Sequence, residues 1–399
     1  MKRRVALWAG AFLLVAVIAF GAGAYVDQSF PDYVPYLAHH SAGRVNATQL
    51  QEAIRLIQAD YIDGNVDTTK LSQSTVRGLI QGLGDPFSTY YDPGEYKRLQ
   101  DFYQGQYSGI GVYLTLGSDY PVITGTVPGS PAAGAGLQNG DSIVKVGDKD
   151  MKGVTSDQAT KLIQGPNGTK VTLTIARGAE TLTVTLTRAE IHVKSVYSTV
   201  LANQVLYVRI YSFGSSTSDE FASALSSGLP GAKGMVLDLR DDPGGFISAA
   251  DDVISQFISS GETFELRDRN GTVDKHQVTG THKAAAVPLV VLVDANSVSA
   301  AEIVSGSLQV HQRAKLVGTK TFGKGSVQQD FVLSDGSDIH ITIKRWYLPN
   351  GETIDRSGLQ PDVVVTLASP TDEFDVIQPS KGYAKDTQLN SALSMLAPG

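Results

Sequence analysis

Cysteine is absent from this chain. That excludes disulfides, thiolate metal centres and a cysteine nucleophile. Clustered positive charge is nearly absent too: the formal net charge is −7, and Lys2, Arg3 and Arg4 form the one basic group. A nucleic-acid partner is therefore not expected. The seven histidines show no metal-ligand spacing, so neither a metal nor a cofactor is expected. Internal repeats are missing, and so are long apolar runs, with one exception.

The exception is Val5 to Ala24, twenty residues without a charge behind the basic terminus. At 1.5 Å per residue it spans about 30 Å, the thickness of a bilayer core. The basic residues should stay cytoplasmic, sending the rest of the chain outward. A retained anchor over residues 1–26 is the reading the run's length favours, giving a single-pass membrane protein with its bulk outside the cytoplasm. The alternative is a signal cleaved after Ala22-Gly23-Ala24, which would release a secreted protein.

A polar linker follows, then Leu50, Ile54, Ile57 and Tyr61 at helical spacing, and Val76, Leu79, Ile80 and Leu83 in a second helix stopped by Gly84-Asp85-Pro86. Residues 27–104 thus read as linker and helical module. From Gly105 to about Arg188 short strands are broken by glycine, with Lys170–Ile175 and Thr181–Leu186 alternating as half-buried strands do. Beyond Ile191 strands and helices alternate. Val205–Ile210, Met235–Leu239 and Leu289–Val293 are buried strands, and Phe246–Ile258 is a helix. That rhythm predicts an α/β core with a largely parallel sheet. Asp335-Gly336 signals a hairpin appended to it. The tail from residue 370 to 399 is polar and weakly patterned.

The chemistry concentrates in residues 294–328. Ser299 opens a helix after strand Leu289–Val293, and Ser299-Ala300-Ala301-Glu302 is by itself a good capping box. Ser297 competes with it as a nucleophile. A helix from Ser299 to Gln312 advances about 20 Å, and eleven extended residues return up to about 35 Å, so Lys324 can regain the helix start. His311 stands twelve residues along that helix, about 18 Å away, too far to be a base. Lys324 as base must be neutral, which burial achieves by lowering its pKa from about 10.4. On an extended chain Lys324, Ser326 and Gln328 share a face, so Gln328 could hold the amine. Gly244, Gly245 and Ala300 could present N–H groups to an oxyanion at a helix end. Arg240 reads as structural.

Together these segments resemble the C-terminal processing peptidases, or tail-specific proteases. The resemblance runs from about Gly82 to Val365. It includes Gly84-Asp85-Pro86-Phe87-Ser88, Tyr91-Asp92-Pro93, Asp238-Leu239-Arg240 with Pro243-Gly244-Gly245, Ser299-Ala300-Ala301-Glu302, Gly323-Lys324-Gly325, Gln328 and Gly358-Leu359-Gln360-Pro361-Asp362. In that family nucleophile and lysine stand twenty-five residues apart, as Ser299 and Lys324 do, which selects them over Ser297 and Lys320. The resemblance implies a crotonase-like α/β protease core, residues 189–369, carrying an inserted PDZ domain, residues 105–188, of short β-strands plus helices. It implies a Ser-Lys endopeptidase with Gln328 orienting the lysine. Its PDZ loop, Ser108-Gly109-Ile110-Gly111, would hold the carboxylate of unstructured, apolar protein C-termini, and the helical module would mediate homodimerisation. Two departures stand out. Gln164 replaces an arginine of many relatives, and Asp241-Asp242 replaces an asparagine-containing version. A non-catalytic PDZ tail-binding adaptor is the rival reading.

Overall fold

The computed structural model describes residues 47–116, 119–127, 129–369, 372–377, 379 and 382–397. The apolar N-terminal run, and with it the expected anchor, lies outside them. No helix of the described residues is long and apolar enough to cross a membrane. The chain divides into two compact units, Met1–Ser72 and Gln73–Gly399. In the first, helix α1 (Ala47–Asp60) buries no residue, although its apolar side chains recur at helical spacing. Helix α2 (Thr68–Gln81) crosses the division and buries only Ile80.

The second unit continues with strand β1 (Thr89–Tyr91) and helix α3 (Pro93–Tyr103). Asp92 caps α3, exchanging hydrogen bonds with Glu95 at 2.8 and 3.0 Å. Strand β2 (Gln106–Gly109) then leads into a small β-rich domain: β3 (Val112–Leu116), β4 (Pro121–Thr126), α4 (Pro131–Gly134), β5 (Ser142–Val146), β6 (Lys149–Asp150), α5 (Ser156–Ile163), β7 (Lys170–Arg177) and β8 (Glu180–Thr187). Its sheet runs β3-β4-β5-β7-β8, with β6 on β5. Ile123, Ile143, Leu173 and Ile175, all fully buried, form its own core. The alternation along β7 puts Val171, Leu173 and Ile175 inward, as period two requires. Strand β9 (Ala189–His192) leaves this domain antiparallel to β2, so entry and exit are hydrogen-bonded to each other.

The larger layer begins with β10 (Val196–Val200), β11 (Val205–Ile210), α6 (Thr217–Gly228), β12 (Gly234–Asp238), α7 (Ile247–Ser255), β13 (Glu262–Asp268), β14 (Val273–Gln277), β15 (Leu289–Val293), α8 (Ala300–Val310) and β16 (Lys315–Gly318). It closes with the hairpin β17 (Ser326–Val332) and β18 (Asp338–Tyr347), then β19 (Val363–Val364) and α9 (Thr387–Met395). The main sheet runs β10-β11-β12-β15-β16-β19, parallel except at β10. Every residue of β12 and β15 is buried, because helices or chain cover both faces. Met235, Leu237, Val291 and Val293 face α7 and α8, while Val236, Val290 and Leu292 face Phe374, Leu389 and Leu393. The segment expected to be a polar tail therefore supplies the second layer. Its apolar residues are few, but Leu389, Ala392 and Leu393 recur at i, i+3 and i+4 on one short helix. A second sheet, β1-β18-β13-β14 with β17 on β18, holds the Asp335-Gly336 hairpin.

Candidate active site

Parallel strands deliver their chemistry at their C-terminal ends, and β12 and β15 end side by side. Beyond β15 the turn is tied by Ser297. Its fully buried hydroxyl donates to the Leu239 carbonyl at 2.7 Å and accepts from the Asp294 N–H at 2.9 Å. Ser297 is thus fixed in structure. Ser299, two residues on, is half-buried at the mouth of α8, with φ +56° and ψ −112°. An L-residue there stores strain of roughly 1–3 kcal/mol and persists only when its surroundings hold it.

Glu302 is the main restraint. It has no exposed surface, and its carboxylate accepts four hydrogen bonds. Oε2 takes the N–H of Ser299 at 2.9 Å and of Lys324 at 3.0 Å. Oε1 takes the N–H of Gly323 at 2.7 Å and the Thr321 hydroxyl at 2.6 Å. The capping box of the sequence thus does more than end a helix: it binds the lysine loop to the serine turn.

Lys324 is half-buried, whereas Lys320 is exposed. Burial lowers the Lys324 amine below its ordinary value, with the charges of Asp85 and Glu302 pulling the other way. Its Nζ stands 5.4 Å from the centroid of the Phe87 ring, which in turn packs edge-on against Phe322. The Lys324 carbonyl accepts from the Trp346 indole at 2.8 Å. A Cβ on Gly323 would come within 2.7 Å of the Gly358 nitrogen, and one on Gly325 within 2.7 Å of Asp355 Cβ, so both flanking glycines allow close packing. Among the described residues, no hydrogen bond joins Ser299 Oγ to Lys324 Nζ.

Gln328 points elsewhere: its amide donates to Ser326 Oγ at 2.8 Å and Thr342 Oγ1 at 2.9 Å. Thr342 and Ser88 each donate to Asp85 Oδ2 at 2.6 Å. Burial pushes the Asp85 carboxyl up, but these two hydroxyls and the Phe87 N–H outweigh it and hold the group below its usual range. Asp85 therefore belongs to the lysine's surroundings, a role the Gly84-Asp85-Pro86 helix stop concealed.

The loop after β12 faces Ser299. A Cβ on Gly244 would lie 2.6 Å from the Val298 carbonyl and 2.9 Å from Ser299 Cβ, and one on Gly245 2.2 Å from the Phe213 carbonyl. The Gly244 N–H is already given to Asp242 Oδ1 at 2.8 Å. Among the described residues, the N–H groups of Gly245 and Ala300 have no protein acceptor. Asp242 is fully buried with Oδ2 unpartnered, and burial pushes its carboxyl well up. Arg240, also buried, pairs with Asp238 and Asp386 and binds the β12 end to α9, the structural role the sequence suggested.

In the inserted domain a cavity of about 160 Å³ opens between β3 and α5, lined among others by Ile110, Gly111, Leu114, Thr160, Ile163 and Gln164. Ile110 and Gly111 contribute to it with N–H groups that have no acceptor among the described residues. Ser108 and Gly109 stand apart from the lining, paired in β2 with Glu190 and Ala189 of β9. Gln164, where the resemblance implies an arginine, lies on this wall. Arg188 instead reaches the end of α5, donating to the Ile163 carbonyl at 2.7 Å.

The model of peptidase family S41 matches residues 204–365, a PDZ domain model matches 99–176, and the model of the activating protease CtpB N-terminal domain matches 33–94. The carboxy-terminal processing protease CtpA of Bacillus subtilis (strain 168) is 34% identical over 330 residues, covering 82% of this chain and 70% of that protein. CtpB of the same organism is 31% identical over 373 residues, covering 88% and 77%. Among solved structures, the photosystem II D1 C-terminal processing protease aligns with TM-score 0.51 and 29% identity, over 81% of this chain and 87% of its own. A strained serine at a helix mouth, a desolvated lysine and a PDZ insertion all occur in a chain that belongs to peptidase family S41, as a serine peptidase among the carboxy-terminal processing proteases.

Proposed function

We propose that this chain is an endopeptidase that seizes unstructured, apolar protein tails through its PDZ domain and hydrolyses them with Ser299 and Lys324. The observation that carries the proposal is the Glu302 carboxylate shared by the serine turn and the lysine loop. In the first step the neutral Lys324 amine takes the Ser299 hydroxyl proton as Oγ attacks the scissile carbonyl carbon. The N–H groups of Gly245 and Ala300 receive the oxyanion, with Gly244 shaping the loop beside them. Collapse breaks the C–N bond, and the Lys324 ammonium returns its proton to the leaving amine. Water, deprotonated by the same amine, then splits the acyl ester, and the ammonium returns that proton to Ser299 Oγ, restoring both groups. Gln328 is a positioning residue in this scheme, acting through Ser326, Thr342 and Asp85 on the start of β17. The uncovered N–H groups of Ile110 and Gly111 take the tail carboxylate, and the cavity takes its last side chain. The apolar N-terminal run holds the enzyme at the membrane with its catalytic part outside the cytoplasm.

The test uses purified Ser299→Ala and Lys324→Ala variants. Both should bind a tail peptide with unchanged Kd, lose cleavage, and, for Ser299→Ala, lose fluorophosphonate labelling. Amidating the peptide's C-terminus should weaken binding at least about tenfold, roughly 1.4 kcal/mol. Cleavage retained by either variant refutes the catalytic assignment, and equal binding of free and amidated tails refutes the recognition mode.

A further inference from the structure

Asp338 has no exposed surface, and neither of its carboxylate oxygens has a partner of full hydrogen-bond geometry among the described residues, with the Phe331 and Ile339 N–H groups the nearest donors. A carboxylate left so is costly, and such groups are ordinarily paired, protonated or bound to a metal. Its neighbours narrow the choice. In the β17–β18 hairpin Asp330 stands directly opposite His340, and Asp338 precedes His340 by two residues on the same strand. Side chains alternate across a strand, so all three project from one face. One ligand-capable atom from each lies within 4.8 Å of the other two.

His340 Nδ1 contacts Asp330 Oδ1, and the Tyr96 hydroxyl donates to Asp330 Oδ2 at 3.3 Å. Tyr91, opposite Asp338 on β1, packs its ring edge-on against His340. Among the described residues, no lysine or arginine pairs with either carboxylate; the one ion pair there is between Asp330 and His340. The cluster, with Asp330 at its exposed side, therefore gathers two carboxylates, one imidazole and two phenols, with no fixed positive charge.

We propose that Asp330, Asp338 and His340 bind a divalent transition-metal ion of the zinc or manganese type. Two carboxylate oxygens with one imidazole nitrogen suit such ions, while calcium takes six to eight oxygens. Metal–ligand bonds of about 2.0–2.2 Å place tetrahedral ligand atoms about 3.3–3.6 Å apart. The three side chains reach that spacing by small rotations, with the ion entering between Asp330 and His340 in place of a proton. Tyr96 or water completes the shell. The ion acts as a clasp: it ties β17 to β18 beyond the strand start that follows Lys324, and it takes no part in acyl transfer. The sequence hides the site because its ligands meet across a hairpin and share no helical spacing.

The experiment uses the untagged full chain, stripped with chelator and titrated calorimetrically with Zn²⁺ and Mn²⁺, with Co²⁺ as a spectroscopic probe. One equivalent per chain, visible ligand-field bands with Co²⁺ and a Tm that rises with metal concentration are expected. Asp338→Asn and His340→Gln should each weaken binding at least about tenfold while remaining folded by circular dichroism. Asp338→Asn should melt no lower than the stripped wild type, since it removes a fully buried carboxylate while keeping an oxygen for the nearby N–H groups. Absence of uptake at millimolar metal overturns the proposal and leaves Asp338 protonated. Uptake unchanged in both variants overturns it equally, by moving the ion elsewhere.

Discussion

The main-chain N–H groups of Ser299 and Lys324 donate to the same oxygen, Glu302 Oε2, at 2.9 and 3.0 Å. Their nitrogens therefore stand no more than about 6 Å apart, although twenty-five residues separate them in sequence. Glu302→Gln should break this junction, because an amide –NH₂ replaces an oxygen to which two donors point. A loss of about 2–4 kcal/mol in stability is expected. At a temperature where the variant is folded, kcat should fall at least about tenfold. Denaturant unfolding and peptide hydrolysis check the two effects, and a variant with wild-type kcat would detach Glu302 from catalysis.

Lys324 gives the pH dependence its sign. Burial lowers its pKa, and in the proposed mechanism only the neutral amine accepts the serine proton, so kcat/KM should rise with pH through a limb lying below 10.5. For stability, the unfolded chain binds the proton more readily between the folded value and about 10.4, so this residue's contribution improves as pH climbs through that window. Lys324→Met should abolish hydrolysis, by at least about 10²–10⁴-fold, while raising Tm at neutral pH. Equal or lower Tm in that variant would mean that the amine is not desolvated.

Gly245→Ala tests the oxyanion assignment. A Cβ would meet the Phe213 carbonyl at 2.2 Å, at a φ of +144° that L-residues rarely adopt, so the loop and its N–H must shift. Losing one such donor lowers kcat by about 10²–10³. Tail affinity of the PDZ domain should be untouched, and steady-state kinetics beside peptide binding separates the two. Unimpaired kcat would assign the oxyanion to other donors.

Asp242 is the acidic departure noted in the sequence. Its buried carboxyl is pushed up, so between its unfolded and folded values the native state holds a proton that the unfolded chain has lost. Stability then declines with rising pH in that window, by up to about 1.4 kcal/mol per unit. Asp242→Asn keeps an oxygen for the Gly244 N–H and lacks this slope. The variant should match wild type near pH 4 and melt higher at neutral pH. Parallel melting curves across that range would place Asp242 in the ionised form.

The sequence made the α/β rhythm legible because strands such as Leu289–Val293 are apolar throughout; helix rise and chain reach allowed Lys324 to return to Ser299, and the family resemblance selected that pair. Three things stayed hidden. Helix α9 was masked by polar neighbours, since Leu389, Ala392 and Leu393 are its only buried apolar residues. Asp85 looked like a helix stop, and its hydrogen bond from Thr342 spans 257 residues, which no local pattern encodes. Gln328 was expected to hold the lysine amine from a shared strand face, yet a register shift between Val327 and Gln328 accompanies its turn toward Ser326 and Thr342.

Strands β2 and β9 carry a consequence for how selection and scission are wired. Gly109 and Ala189 are register partners, so the chain departs and re-enters within about 5.5 Å. A two-residue Asn-Gly turn spans that gap in a hairpin. Deleting residues 110–188 across it should leave a shortened enzyme that still folds and cuts a denatured protein whether its terminus is free or blocked. The domain proposed to read the tail is thus a removable module, joined to the hydrolase by the β2–β9 pair with the Tyr113–Tyr197 contact beside it.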